Sequence, residues 1–183
     1  MTTKPILAKA KAAVYAEVLL KTAPDPNSIF ELASQFDQLL KTVRGSAELA
    51  LTLANQHLAA RERRAIAHEV FIHLRPELLA VFEVMVERGD LDVLARAHAQ
   101  FERRAEQALG VVIIDVTTVV PLDERLRSLI IKKYASQLGS GVRLREHVDP
   151  GLAGGIILSL HGRRIDASVV SQLQSARSVL IRP

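Results

Sequence analysis

Through the first 109 positions, apolar residues recur at intervals of three and four, and most runs stop at a proline or glycine. Residues 6–22 read as a first helix, ended by Pro24-Asp25-Pro26. Ile29, Leu32, Ala33, Phe36, Leu39, Leu40 and Val43 then line one face of a second helix. Asn27 or Ser28 is placed to cap it, with Glu31 as the capping-box partner of Ser28. Gly45 ends that helix, and Ser46 caps a short third one through Ala54. A fourth covers residues 60–74, with Ile66, Val70 and Leu74 in register. Pro76 suits the first turn of a fifth, through Arg88. After Gly89-Asp90, Leu91, Leu94, Ala95, His98, Phe101 and Ala105 give a sixth its stripe. Short links between six such helices predict an all-helical bundle.

After Gly110 the period changes. VVIIDVTTVV, residues 111–120, is β-branched at most positions and too Thr-rich for a helix, so it predicts a strand. A helix follows over 122–138, with Leu122, Leu126, Leu129, Ile130 and Tyr134 on or near one face. Gly139-Ser140-Gly141 makes a turn, and VRLREHV reads as a second strand. The run Ile156-Ile157-Leu158 with Leu160 then meets Arg163-Arg164-Ile165 across His161-Gly162, a pair able to take a tight hairpin turn. Asp166 and Ser168 are good caps for a final helix with Val169, Leu173, Ala176 and Leu180 on one face. The expected fold class is therefore α+β: a six-helix bundle over 1–109, then a small α/β domain over 110–183. At ~74 residues the second part is marginal for an independent core.

Two helices carry more apolar surface than one core needs. On the first, Leu7, Ala10, Val14 and Val18 form one face, and Ala12, Tyr15, Ala16 and Leu19 a nearly opposite one. On the fifth, Leu78, Val81, Phe82 and Met85 oppose Ala80 and Val84. Such a helix either sits centrally in its bundle or docks something outside.

Composition narrows the function classes. Apolar residues make up 49% of the chain and aromatics only 4%, which favours helix packing over aromatic-rich sandwiches. The absence of cysteine removes disulfides and thiolate metal sites. The N-terminus lacks a signal-peptide pattern, and no apolar run approaches the ~20 residues that span a bilayer. Residues 1–109 hold 14 basic and 14 acidic side chains, whereas 110–183 hold 10 and 6, so the net charge of +4 lies in the second part. That asymmetry suggests an acidic protein partner or, as the alternative, nucleic acid.

The chain shows no catalytic constellation. His68 and His73 are five residues apart, which turns their side chains ~140° away from each other on a helix, so they do not form a zinc-binding pair. The run Gly151-Leu152-Ala153-Gly154-Gly155 lacks the Lys-Ser/Thr and the helix start of a phosphate cradle. His161 has no nucleophile at recognisable spacing. No metal, cofactor or catalytic residue is therefore assigned. Arg143, Arg145, Arg163 and Arg164 lack interleaved aromatics for base stacking.

One motif is specific. Val148, Asp149, Leu152, Gly154, Gly155, Asp166, Ser168 and Val169 stand at the spacing of V-D-x-x-L-x-G-G followed by D-G-S-V. On these residues the chain resembles the delta subunit of bacterial F-type ATP synthases, whose mitochondrial counterpart is the oligomycin-sensitivity-conferring protein. Two departures stand out: His161-Gly162 lies near the usual Gly-Asp, and Ala167 replaces the Gly of Asp-Gly-Ser.

The resemblance implies a non-catalytic stator subunit at the cytoplasmic face of the bacterial inner membrane, attached there through its partners. It implies a groove between the first and fifth helices for the N-terminal helical segment of an alpha subunit. Tyr15 and Val84 would line it, with Ala12, Ala16, Leu19 and Ala80 as face neighbours. It also implies that the C-terminal part holds the end of the peripheral-stalk b subunit, where Arg163, Arg164 and Arg177, with Arg182 beyond, could meet acidic side chains. The rival reading is a basic adaptor that binds nucleic acid through residues 110–183.

Overall fold

The computed structural model describes residues 3–160 and 163–168. The His161-Gly162 turn and the expected final helix, with Val169, Arg177 and Arg182, lie outside the described residues. The chain divides into two compact units, Met1–Leu109 and Gly110–Pro183.

The first unit contains α1 (Thr3–Thr22), α2 (Pro26–Gly45), α3 (Ala47–Ala54), α4 (Ala60–Phe71), α5 (Pro76–Glu87), a 3-10 turn (Leu91–Val93) and α6 (Leu94–Leu109). Its core is filled by Phe36, Phe71, Phe82 and Phe101, all at or below 2% exposure, among leucines of α1, α2, α3, α5 and α6. Phe71 meets Phe82 edge-on at 5.1 Å between ring centroids, and Phe36 lies 5.9 Å from Phe101.

Three local expectations need correction. The cap of α2 is Asp25, whose Oδ1 accepts from the backbone N–H groups of Asn27 and Ser28 at 2.8 and 3.0 Å. Pro26, with its φ preset, occupies the first helical turn and moves the start back. Glu31 is therefore no capping-box partner; it accepts from Arg75 at 2.8 Å. Next, α4 ends at Phe71, because Pro76 holds Arg75 in extended backbone (φ −55°, ψ 139°) and the chain leaves the helix before it. The inward positions of α4 are Arg63, Ala67 and Phe71, while Val70 is 41% exposed. Lastly, α6 turns Leu94, Ala97, Phe101 and Ala105 inward, so Ala97 takes the place expected of Ala95.

The second unit contains β1 (Val111–Thr118), α7 (Glu124–Leu138), β2 (Gly141–Val148), β3 (Gly155–Leu160) and β4 (Arg163–Ser168). The sheet order is β2-β1-β3-β4. β1 and β2 pair in parallel, from Val111↔Gly141 to Thr118↔Val148, which requires a crossover connection; α7 supplies it. Asp123 caps α7 by accepting from Leu126 N at 2.6 Å, and Gly139 ends it in the left-handed region at φ 64°. Ile114, Val116, Leu122 and Tyr134 form the core, with Val112, Ile130, Val142, Leu144, Ile156, Leu158 and Leu160 packed against it. Leu126 and Leu129, expected on the inward stripe, are 49% and 54% exposed. α7 covers its sheet with a single narrow stripe ending at Tyr134, and both leucines fall beside it.

The capping role read for Asp166 also changes, because it lies inside β4, whereas the helix expected after Ser168 lies outside the described residues. β3 and β4 pair antiparallel over six residues, from Leu160↔Arg163 to Gly155↔Ser168. Ala167 lies opposite Ile156 in that strand, in extended backbone that needs no glycine.

Candidate functional site

α1 is apolar on two sides, and the structure decides which side the bundle uses. Ala12, Ala16 and Leu19 are at 0% exposure and Tyr15 at 8%. The four α1 residues expected to line a groove therefore face the core. The opposite side faces outward among the described residues: Leu7, Val14 and Val18 are about half exposed, and Ala10 is exposed with them.

The orientation of α1 follows from one buried polar cluster. Asp90, 5% exposed, sits in the turn after α5. It accepts from Tyr15 Oη at 2.8 Å and from Lys11 Nζ at 2.5 Å. Its backbone N–H donates to Met85 O at 2.8 Å, anchoring the turn to α5. Burial, then the hydrogen bond to the Asp90 carboxylate and its charge, pushes the Tyr15 phenol up to about 12. Turning α1 over would strand this carboxylate in the interior without its two donors.

Lys11, Val14 and Val18 stand at i, i+3 and i+7, so the exposed stripe borders the side on which α1 reaches the end of α5. On α5, Leu78, Phe82 and Met85 are buried, Val84 is half-buried and Ala80 is exposed. The outward sides of α1 and α5 thus carry Leu7, Val14, Val18, Ala80 and Val84.

Two further anchors brace this unit, and pattern reading missed both. Arg63 is 6% exposed and donates to Leu58 O at 2.7 Å and to Glu87 O at 3.2 Å, joining the loop before α4 to the end of α5. Its signal is its spacing, four and eight residues before the buried Ala67 and Phe71. Glu83, equally buried, accepts from Arg64 at 2.9 Å and contacts His68 Nδ1 at 2.7 Å. Burial alone would raise the Glu83 carboxyl, but the hydrogen bonds with His68 and Arg64 outweigh it and hold it below the usual range.

In the second unit the motif residues shape the backbone. Asp149 N donates to Thr118 O at 2.8 Å, Asp149 Oδ1 accepts from Gly151 N at 2.9 Å, and Asp149 O accepts from Leu152 N at 3.1 Å. One aspartate thereby ties the end of β1 to the turn that leaves β2. Gly154 and Gly155 follow at φ 127° and 88°, a region closed to other residues without strain. Arg145, 5% exposed, forks onto Asp115 through Nε (2.6 Å) and Nη2 (3.0 Å), directly across the β1–β2 pair.

Arg163 and Arg164 are exposed at the start of β4, with Arg164 donating to Asp166 at 3.1 Å. Beside them lies a depression of about 490 Å³ lined by Ile114, Tyr134, Leu158, Leu160 and Ile165. Apolar walls with a cationic rim suit an amphipathic segment bearing acidic residues.

The comparisons agree with this architecture. A family model described as ATP synthase delta (OSCP) subunit matches residues 12–180. The chain belongs to that family, and it is therefore a non-catalytic stator component of ATP synthase that associates with other subunits of the complex. Among its relatives, ATP synthase subunit delta of Moorella thermoacetica is 26% identical over 160 residues, covering 87% of this chain and 90% of that one. The subunit delta of Prochlorococcus marinus strain MIT 9301 is 28% identical over 162 residues, covering 87% and 90%. That of Rhodopirellula baltica is 29% identical over 161 residues, covering 87% and 71%. In fold, the chain is similar to one in the Toxoplasma gondii mitochondrial ATP synthase hexamer, with a TM-score of 0.52, 18% identity, and coverage of 94% and 98%. No described helix is long and apolar enough to cross a membrane. The nucleic-acid adaptor reading finds no support in these matches.

Proposed function

We propose that the helical unit grips the catalytic head through the outward sides of α1 and α5, and that the sheet unit grips the peripheral stalk. The head-side ligand is the N-terminal helical segment of an alpha subunit; the stalk-side ligand is the C-terminal end of the b subunit. The observation that carries the first half is the exposed stripe Leu7, Val14 and Val18, held outward by the Tyr15–Asp90 bond. An amphipathic helix laid against it buries apolar surface on both sides without disturbing the bundle. Arg163, Arg164 and the depression beside them support the stalk half.

Torque on the head during rotation must be held by the stator, and one chain bound at both ends supplies that tie at the cytoplasmic face of the bacterial inner membrane. Such a connector needs slow dissociation, which large apolar helix contacts provide.

The test is a titration of the full chain with the alpha-subunit N-terminal segment, comparing wild type with Val14→Asp and Val84→Asp. Both variants should bind at least about tenfold more weakly with unchanged circular dichroism. Leu51→Asp, at an unrelated exposed position on α3, should bind like wild type. Wild-type affinity in a folded Val14→Asp protein would reject this face.

A further inference from the structure

A second surface lies on the other flank of α1, and the proposed grip on the alpha subunit does not use it. Lys9 of α1 and Arg96, Ala99, Gln100 and Arg103 of α6 surround a shallow depression of about 320 Å³ with Ala12 at its floor. Lys9 and Val14 are five residues apart, which places them ~140° apart around α1. The depression and the apolar stripe therefore open in different directions.

Three features define what it would accept. Its three cations, Lys9, Arg96 and Arg103, are all exposed, and no carboxylate lines the depression among the described residues. Elsewhere on these two helices, basic side chains do meet acids: Lys11 pairs with Asp90, Lys21 with Glu17, and Arg104 with Glu17. Arg103 instead donates Nε to Ala99 O of its own helix, at 3.4 Å.

The second feature is spacing. Arg96 and Arg103 stand at i and i+7, ~10 Å apart along α6, with Gln100 between them on the same face. A single small anion satisfies one such position, whereas a peptide with successive carboxylates satisfies both. The third is the floor, where Ala12 and Ala99 leave room for another chain to approach closely.

We infer that the α1–α6 depression is a docking site for an acidic segment of a protein partner, separate from the apolar grip on α1 and α5. The carboxylates of that segment pair with Arg96 and Arg103 on one wall and Lys9 on the other, while Gln100 hydrogen-bonds its main chain. Exposed charges of this kind set orientation, association rate and partner choice more than raw affinity. The contact also weakens with salt.

The experiment uses the full chain with isotope-labelled amides and a short Ala-rich helical peptide bearing glutamates at i, i+4 and i+7. Amide shifts should concentrate at Lys9, Ala12, Ala99, Gln100 and Arg103, and affinity should fall as salt rises. Arg96→Glu/Arg103→Glu should weaken binding at least about tenfold. Arg96→Gln/Arg103→Gln, which removes the charge but keeps a polar side chain, should weaken it by less while leaving the spectrum of a folded protein. The inference is overturned by equal binding in the charge-reversed protein, or by equal binding of the matching glutamine peptide. It also fails if inorganic phosphate displaces the peptide at comparable concentration, which would mark a small-anion site. Tighter binding of a single-stranded oligonucleotide at the same residues would assign the surface to nucleic acid instead.

Discussion

In the helical unit the core consists of large side chains: four phenylalanines at or below 2% exposure, with Leu19, Leu32, Leu39, Leu53 and Leu78 around them. In the sheet unit the central cluster is Ile114, Val116, Leu122 and Tyr134, and the hydrophobics packed against it are only partly buried. The sheet unit compensates with directed bonds: the Asp115–Arg145 fork, the Asp149 turn and two glycines in left-handed backbone. Apolar burial tolerates small changes of angle, whereas forked and turn-specific hydrogen bonds do not. The first unit is thus specified by volume and the second by geometry. The same contrast separates their outer surfaces, a half-exposed aliphatic stripe on one and an arginine-rimmed depression on the other.

The contrast breaks most visibly at Phe101. Phe101→Ala should cost about 3–5 kcal/mol through the cavity it leaves. Amide exchange during denaturant titration should place that loss in α1–α6 and leave β1–β4 unchanged. A comparable loss in the strands would mean that the two cores are one.

Arg145→Ala should cost about 3 kcal/mol, because the Asp115 carboxylate loses a buried, forked partner. Here β1 and β2 should exchange faster, with the helices unaffected. Wild-type protection in the strands would show that packing alone holds the sheet unit.

The smallest effect concerns one of the few places where the helical unit also uses directed bonds, the contact of Tyr15 with Asp90. Tyr15→Phe should cost about 1.5 kcal/mol at neutral pH, since Asp90 keeps Lys11 but loses a hydroxyl donor. The phenol ionises near 10 when unfolded and near 12 when folded, so folding favours its protonated form. That contribution is complete below pH 10 and is lost as pH rises through about 12. The decline in stability across this window, followed by chemical denaturation, should be shallower in Tyr15→Phe. Equal slopes would remove Tyr15 from the account.

How much of this was readable from the sequence follows the same division. The helices of the first unit are written in local signals such as Pro26, Ser46, Pro76 and Gly89, so their order follows from the chain. The inward side of α1 is not local. Both of its sides are aliphatic, and the residue that decides between them, Asp90, lies 75 positions from Tyr15. The Ala12–Tyr15–Ala16–Leu19 side, onto which the family resemblance carries the groove, is the one the bundle buries. Arg63 sits at the inward spacing of α4, but the carbonyls at the end of α5 that satisfy its buried charge are not visible in the local sequence. In the sheet unit, Gly154 and Gly155 were legible as motif positions, and their positive φ explains the glycine requirement. Asp166 was misread because a good capping residue and a hairpin residue look alike until the register of β3 and β4 is known.

The central claim is that the bundle presents the Val14–Val18 side of α1, and not the Tyr15 side, to the alpha subunit. Methyl NMR of the full chain, titrated with the alpha-subunit N-terminal segment, tests it most directly. The account predicts that the methyls of Leu7, Val14, Val18 and Val84 shift and show contacts to the peptide, while Leu19 and Leu78 keep their core signals. Peptide contacts at Leu19, or a response confined to the sheet unit, would contradict it.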